Sequence, residues 1–128
     1  MKLNALVIDQ NQRSSMTETE VPLFKVSDTE WASEKQEAKS WAIAIRQPGE
    51  PMPGGPTEMH STNFPSIVMC MQGHLQTTGQ DGNTCRLAVG EGVCIDGRAL
   101  HHSSFGPGGE AIIMLNLTLN GTGRFDFR

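Results

Sequence analysis

The sequence has few of the features that define several protein classes. Lys and Arg total 10 against 14 Asp and Glu, so the net charge is −4 and offers no basic surface for nucleic acid. Anionic membranes attract clustered Lys and Arg, for which this composition gives little support. No apolar run approaches the ~18 residues of a membrane span, and the stretch 3–8 is too short for a signal peptide. The sequence predicts a soluble cytoplasmic protein with neither nucleic acid nor membrane as a partner.

Cysteine is scarce, and the common catalytic motifs are missing. Cys70, Cys85 and Cys94 form no CxxC pair and leave one thiol over, which argues against a disulfide-stapled secreted module. The chain has no P-loop, dinucleotide-binding glycine loop, zinc-knuckle spacing or Ser-His-Asp order. Its 128 residues suffice for one domain with one core.

Glycine and proline are abundant, mostly after residue 47. The 14 Gly and 7 Pro separate short apolar segments, which favours an all-β fold over a helical bundle. Asp81-Gly82 gives the strongest hairpin signal. We predict a single antiparallel β-barrel or jelly roll. Its strands cover residues 1–8, 41–46, 66–71, 74–78, 84–89, 93–95, 101–105 and 111–119.

The first 39 residues differ from the rest and predict an N-terminal arm before a barrel domain at 40–128. The apolar alternation of 1–8 predicts an edge strand. Residues 9–26 are mostly polar and are predicted to form an arm on the surface. Ser27 and Glu30 have the spacing of a helix cap, so a short helix is expected over the residues that follow.

Residues 54–73 follow the spacing of a known motif. Five residues separate Gly54 from His60, and Thr62, Ser66 and Gly73 follow at fixed distances. This segment resembles the first motif of the cupin superfamily, usually written G(X)5HXH(X)3–4E(X)6G.

A second match follows at residues 90–105. Gly90, Asp96, Arg98, His101 and Phe105 occupy the places of the second cupin motif, G(X)5PXG(X)2H(X)3N. The resemblance implies a cupin-type barrel. The glycine and histidine places of this motif are kept, whereas its Pro, second Gly and Asn are replaced.

The resemblance also implies where a metal would bind. Cupin metals are typically held by two His and a Glu from the first motif and one His from the second; here His60 and His101 remain, and Thr62 and Ser66 replace the other two. Glu58 shares a strand face with His60 and supplies a carboxylate. These three residues are the predicted ligands of one divalent metal, Fe, Zn, Ni or Mn. Alternatively, the histidines line the pocket without metal and hydrogen-bond each other, a ligand or water.

The strand after Pro65 predicts further pocket residues. Ser66, Val68, Cys70 and Gln72 alternate along one mixed polar face, which we expect to line the cavity. Cys70 is either a pocket thiol or a small hydrophobic residue. Trp41 either walls the pocket or fills the core.

Three arginines are candidates for binding a substrate carboxylate: Arg46, Arg86 and Arg98. Arg98 could instead pair with Asp96 and stiffen its loop. With His60 and His101, Arg98 completes the set of candidate catalytic groups.

These features support three hypotheses about function. The first is a small metal-dependent cupin enzyme of oxygenase, isomerase or lyase type acting on a small organic metabolite. The second is a non-catalytic module that binds or senses a small molecule without metal, and the third is an interaction protein with a relict pocket. We also expect a homodimer, because residues 2–8 and 123–127 are candidate edge strands. The last strand also places apolar residues at outer positions, where contact with a second copy would bury them; these are Ile113, Leu115 and Leu117.

Overall fold

The computed structural model describes residues 1–47, 59–105 and 111–120, and these residues form strands and no helix. The all-β prediction is confirmed for this part of the chain. The predicted strand at 123–127 and Glu58, the predicted metal ligand, lie outside the described residues. The strands are β1 (Lys2–Ile8), β2 (Ser14–Glu20), β3 (Phe24–Ser27), β4 (Glu30–Ala32), β5 (Ala38–Arg46), β6 (Ser66–Gln72), β7 (Leu75–Gly79), β8 (Thr84–Leu87), β9 (Gly92–Ile95), β10 (His101–Phe105) and β11 (Ile112–Leu119).

Two sheets carry most of the strands. The larger has the order β2-β1-β9-β6-β11-β5, and the smaller has the order β10-β7-β8. Strands β1 and β9 pair in parallel, whereas the other neighbours are antiparallel, so the larger sheet is mixed rather than purely antiparallel as predicted. Neither sheet closes on itself through hydrogen bonds within the described ranges.

One hydrophobic core joins the two sheets. The strand pleat sends alternate side chains of β7 and β8 inward, where Leu75 and Leu87 are buried. They belong to one cluster with Leu6, Ile95 and Met114 of the larger sheet, so the sheets pack face to face. The turn between β7 and β8 is the one that Asp81-Gly82 predicted, and Gly82 has φ of 80°.

The N-terminal segment differs from the predictions in three respects. The predicted helix after Ser27 is wrong: β3 and β4 form a hairpin, and residues 33–37 have no regular structure. Helices in proteins are stabilised mainly by packing of an apolar face. Phe24, Val26 and Trp31 are exposed, so the apolar side chains of this segment do not pack on the core. The polar stretch 9–26 contains the unpredicted strand β2. It pairs with β1, which therefore lies inside the sheet and not at its edge.

No described segment is a helix of the length and apolar character needed to cross a membrane.

Gly73 and Gly82 allow a matched test of the turn that follows β6. Both have positive φ, 77° and 80°, but a Cβ on Gly73 would lie 2.5 Å from the Ala111 carbonyl oxygen, whereas one on Gly82 would meet nothing within 4 Å. Gly82→Ala should therefore cost only backbone strain, about 1 kcal/mol. Gly73→Ala should lower the free energy of unfolding by about 2–4 kcal/mol, because overpacking is added. Urea denaturation measures both, and equal losses would contradict this packing.

Candidate functional site

His60 and His101 lie side by side although they are 41 positions apart in sequence. Their backbones form an isolated antiparallel bridge, with each amide donating to the other's carbonyl at 2.9 Å. The ring centroids are 4.5 Å apart and the ring planes are inclined by 55°. The convergence expected from the two motif positions is therefore present in the structure.

Hydrogen bonding fixes the orientation of the His101 ring. The side chain is only 5% exposed, and its Nδ1 lies 2.9 Å from the Ala99 carbonyl oxygen. A carbonyl only accepts, so Nδ1 carries the proton and the neutral ring presents Nε2 as an acceptor. Burial lowers the pKa of His101, opposed by the Ala99 hydrogen bond and reinforced by His60 and His102.

The two histidines form part of the wall of a cavity of about 250 Å³ between the two sheets. This volume suits a small metabolite better than a drug-sized ligand. Strands β5, β6, β9 and β11 of the larger sheet and β7 and β10 of the smaller one contribute to the wall. The lining residues are Arg46, His60, Thr62, Ser66, Val68, Leu75, Thr77, Ile95, His101, Ser103, Met114, Asn116 and Thr118.

Among the residues that the structure describes, the cavity wall combines an apolar part with uncharged hydrogen-bonding groups and one permanent positive charge. That charge is Arg46, near the end of β5. Its Nε is buried, and no described residue accepts a hydrogen bond from it. No Asp or Glu belongs to the described lining. The described part of the lining therefore carries a net positive charge, although the net charge of the whole chain is −4.

The two positions at which this sequence departs from the metal ligands of the motif it resembles also face the cavity. Thr62 and Ser66 line it together with the two histidines, so hydroxyl groups stand where that motif carries a His and a Glu. The Thr62 hydroxyl donates to the Phe64 carbonyl at 2.9 Å. The Arg98 amide donates to the Thr62 carbonyl at 2.6 Å, which ties the loop before β10 to this wall.

Three other predicted pocket residues lie elsewhere. Trp41 is 67% exposed on the outer side of β5, where it neither lines the cavity nor fills the core. A register shift in the β6–β11 pairing places Gln72 opposite Ile113, so Gln72 is exposed. Cys70 does point inward, but it is part of the hydrophobic core, and burial raises the pKa of its thiol.

The three candidate arginines also separate in the structure. Only Arg46 lines the cavity. Arg86 projects from the outer side of the smaller sheet, where its Nε lies 3.2 Å from the side-chain amide of Gln76, which can accept a hydrogen bond when its oxygen is turned toward the guanidinium. The side chain of Arg98 is exposed, and the residue has φ of 67°. The Asp96 carboxylate accepts a hydrogen bond from the Ile8 amide at 3.2 Å.

The described residues alone do not fit a resident metal. Beside His60 and His101, no third His, Cys, Asp or Glu within the described ranges completes a binding group. Two imidazole donors fall short of the three protein ligands typical of catalytic zinc and non-haem iron sites. The predicted metal site therefore depends on Glu58, which lies outside these ranges.

Sequence reasoning missed several polar residues of the wall, among them Thr77, Ser103, Asn116 and Thr118. The last two carried a usable signal. They alternate with Leu115, Leu117 and Leu119 in an otherwise apolar strand, so polar groups recur on a single face of β11.

Comparisons with known proteins bear on the fold. No protein-family model matches the chain, and no curated protein matches it. Among solved structures, protein NMB1881 from Neisseria meningitidis aligns with a TM-score of 0.50 at 10% identity, covering 70% of this chain and 87% of that one. A cupin domain from Bordetella pertussis has a TM-score of 0.45 at 16% identity, covering 79% and 94%. The Cnp3 cupin domain of Schizosaccharomyces pombe has a TM-score of 0.43 at 17% identity, covering 93% and 88%. The structural neighbours of this chain thus include cupin domains, at identities that concern the fold alone.

Proposed function

We propose that this protein is a small cupin-type β-barrel protein that binds a small organic carboxylate in the cavity between its sheets. The observation that carries the proposal is the Arg46 guanidinium in the cavity wall, with a buried Nε that lacks an acceptor among the described residues.

Arg46 favours an anionic ligand through its charge. A guanidinium stays protonated at physiological pH, so this side chain brings a permanent positive charge to the cavity. Leaving a buried donor unsatisfied costs about 1–3 kcal/mol, and more for a charged group. A ligand carboxylate offers two oxygens in the geometry that a guanidinium binds bidentately, which would satisfy Nε and compensate the charge.

The remaining wall indicates what the rest of the ligand is like. Neutral His101 presents Nε2 as an acceptor, which suits a ligand hydroxyl or amine proton. Val68, Leu75, Ile95 and Met114 add apolar contact for a carbon skeleton, so an organic acid fits better than an inorganic anion.

The proposal predicts selective binding of carboxylates. In thermal-shift assays, benzoate, succinate and 2-oxoglutarate serve as probes, each paired with an uncharged amide or ester of similar shape. At least one carboxylate should raise the melting temperature while its neutral counterpart does not, because only ligands that prefer the folded state stabilise it. A neutral counterpart that stabilises the protein equally well would contradict a role for charge.

Arg46→Gln should weaken binding of the best carboxylate at least about tenfold in calorimetric titration, because hydrogen bonds to charged groups contribute about 1.5–3 kcal/mol. Arg86→Gln removes the same charge from the outer side of the smaller sheet and is the matched control; it should leave the affinity within about twofold. Equal effects of the two substitutions would show that net charge, and not the cavity, governs binding.

The lowered pKa of His101 predicts how stability depends on pH. The unfolded chain has an ordinary imidazole pKa near ~6.5, whereas the folded value is lower, so the unfolded state binds more protons between the two values. The contribution of His101 is therefore fully present above ~6.5 and is lost as pH falls through the folded pKa. His101→Asn keeps a donor for the Ala99 carbonyl and should reduce the fall in melting temperature between about pH 7.5 and pH 5. His102→Asn is the adjacent control, and parallel curves for all three proteins would contradict this assignment.

A metal-dependent enzyme is the second candidate function, favoured by the 4.5 Å separation of the two imidazole rings. A tight metal would need Glu58 as third ligand, so Glu58→Gln should abolish most Zn²⁺ binding in calorimetric titration, as should His60→Ala. Zn²⁺ binding that is unchanged in both variants would rule this site out.

A further inference from the structure

The polar residues of the cavity wall include two groups that lie far apart along the larger sheet. Arg46 is the last residue of β5 and pairs with Ile112, the first residue of β11. Thr118, six positions after Ile112, pairs with Ser66, the first residue of β6. Six residues of a strand span about 20 Å, so the backbone positions of Arg46 and Ser66 differ by roughly that distance along the strands.

The histidine pair belongs to the Ser66 end of the cavity. The segment that carries His60 enters the sheet at Ser66, and the segment that leads to His101 leaves it after Ile95, which pairs with Ser66. The two segments then join at the bridge between the histidines. We call this group the histidine end; it comprises His60, Thr62, Ser66, His101 and Thr118.

The two ends of the cavity differ in charge. Arg46 brings a permanent positive charge, whereas none of the five residues of the histidine end is an Asp, Glu, Lys or Arg. At this end His101 presents Nε2 as an acceptor, because its Nδ1 is held by the Ala99 carbonyl. A second carboxylate on the ligand would meet an acceptor and no compensating cation there. A ligand hydroxyl, in contrast, donates to Nε2 and remains neutral.

The wall between the two ends contacts the carbon skeleton of a ligand. Met114 lies four positions before Thr118 on β11, and Val68 pairs with Asn116 between them. Both apolar side chains line the cavity. A ligand that reaches Arg46 and the histidine end together is therefore elongated, with an apolar middle and a different polar group at each end.

We propose, on the basis of carboxylate binding at Arg46, that the ligand is an elongated hydroxycarboxylic acid whose hydroxyl lies at the histidine end. The carboxylate and the hydroxyl thus occupy opposite ends of the cavity, and the hydroxyl donates to Nε2 of His101. Unsubstituted monocarboxylic acids leave this acceptor without a donor from the ligand, and dicarboxylic acids place a negative charge against it.

Calorimetric titration of the parent protein tests the proposal without any substitution. The probes are 4-hydroxybenzoate, 4-hydroxyphenylacetate and 3-(4-hydroxyphenyl)propanoate, which differ in length. The tightest binder is compared with analogues whose hydroxyl is replaced by hydrogen, methoxy or carboxylate, at about pH 8, above the ordinary imidazole pKa near ~6.5. The hydroxyl compound should bind about fivefold more tightly than each analogue, because one net hydrogen bond has a modest effect. Equal binding of any analogue would overturn the proposal.

Two substitutions separate the ends of the cavity. His101→Asn removes Nε2 and keeps a donor for the Ala99 carbonyl, so it should reduce the preference for hydroxyl over hydrogen to less than about twofold. Arg46→Gln should weaken both ligands at least about tenfold and leave that preference unchanged. His102→Asn is the matched control, because His102 points to the outer side of the smaller sheet, and it should keep both the affinity and the preference.

The outcomes distinguish this proposal from carboxylate binding itself. If Arg46→Gln weakens neither ligand, or if none of the acids binds, carboxylate binding at Arg46 is wrong and the hydroxycarboxylic acid is wrong with it. If Arg46→Gln weakens both ligands but His101→Asn keeps the full preference for the hydroxyl compound, carboxylate binding stands and the placement of the hydroxyl at His101 is overturned.

Discussion

The alternation of side chains across the larger sheet determines both of its surfaces. In a strand, successive side chains point to opposite sides, and one side of a two-layer protein is normally apolar and buried while the other is polar. Strand β11 departs from this pattern. Asn116 and Thr118 point into the cavity, whereas Leu115 and Leu117 point outward. The pleat thus turns two polar side chains toward the cavity and two apolar side chains toward the outer side of the sheet, and all four are half-buried.

On the inner side, backbone contacts connect the segments that form part of the cavity wall. The bridge between His60 and His101 and the amide of Arg98 on the Thr62 carbonyl connect the segment before β6 to the start of β10. These contacts hold Thr62 and the two imidazoles at the wall of the cavity. Together with Arg46, they create a site whose polarity is compensated when an anionic ligand occupies it.

Features that depend on neighbouring residues were predicted from the sequence more accurately than features that depend on contacts between distant segments. The Asp81-Gly82 turn and the apolar strands rest on nearby residues, and they were predicted correctly. The convergence of His60 with His101 is non-local, and it was expected only because two spaced motifs resembled a family. Gln72 was wrongly predicted to line the cavity. The register shift that turns it outward arises in the pairing of β6 with β11, a strand more than 40 residues further along the chain.

The wrongly predicted helix and the open choice among the three arginines also depend on contacts that the local sequence does not reveal. The cap-like spacing of Ser27 and Glu30 suggested a helix, but an isolated helix needs an apolar surface to pack on, and the segment pairs with itself as a hairpin instead. Arg46 was indistinguishable by composition from Arg86 and Arg98, because only the inward orientation of the last residue of β5 brings it to the cavity. The sequence therefore identified three arginines as candidates for binding a carboxylate, whereas the fold was needed to show which of them lines the cavity.

A crystal structure of the protein soaked with 4-bromobenzoate would show whether Arg46 binds a carboxylate in the cavity, because the anomalous signal of bromine locates the ring and the density then orients the carboxylate. We expect the ring between the two sheets and a carboxylate oxygen about 2.7–2.9 Å from the Arg46 guanidinium. A ligand bound only outside the cavity, or one inside it whose carboxylate points away from Arg46, would contradict carboxylate binding by Arg46.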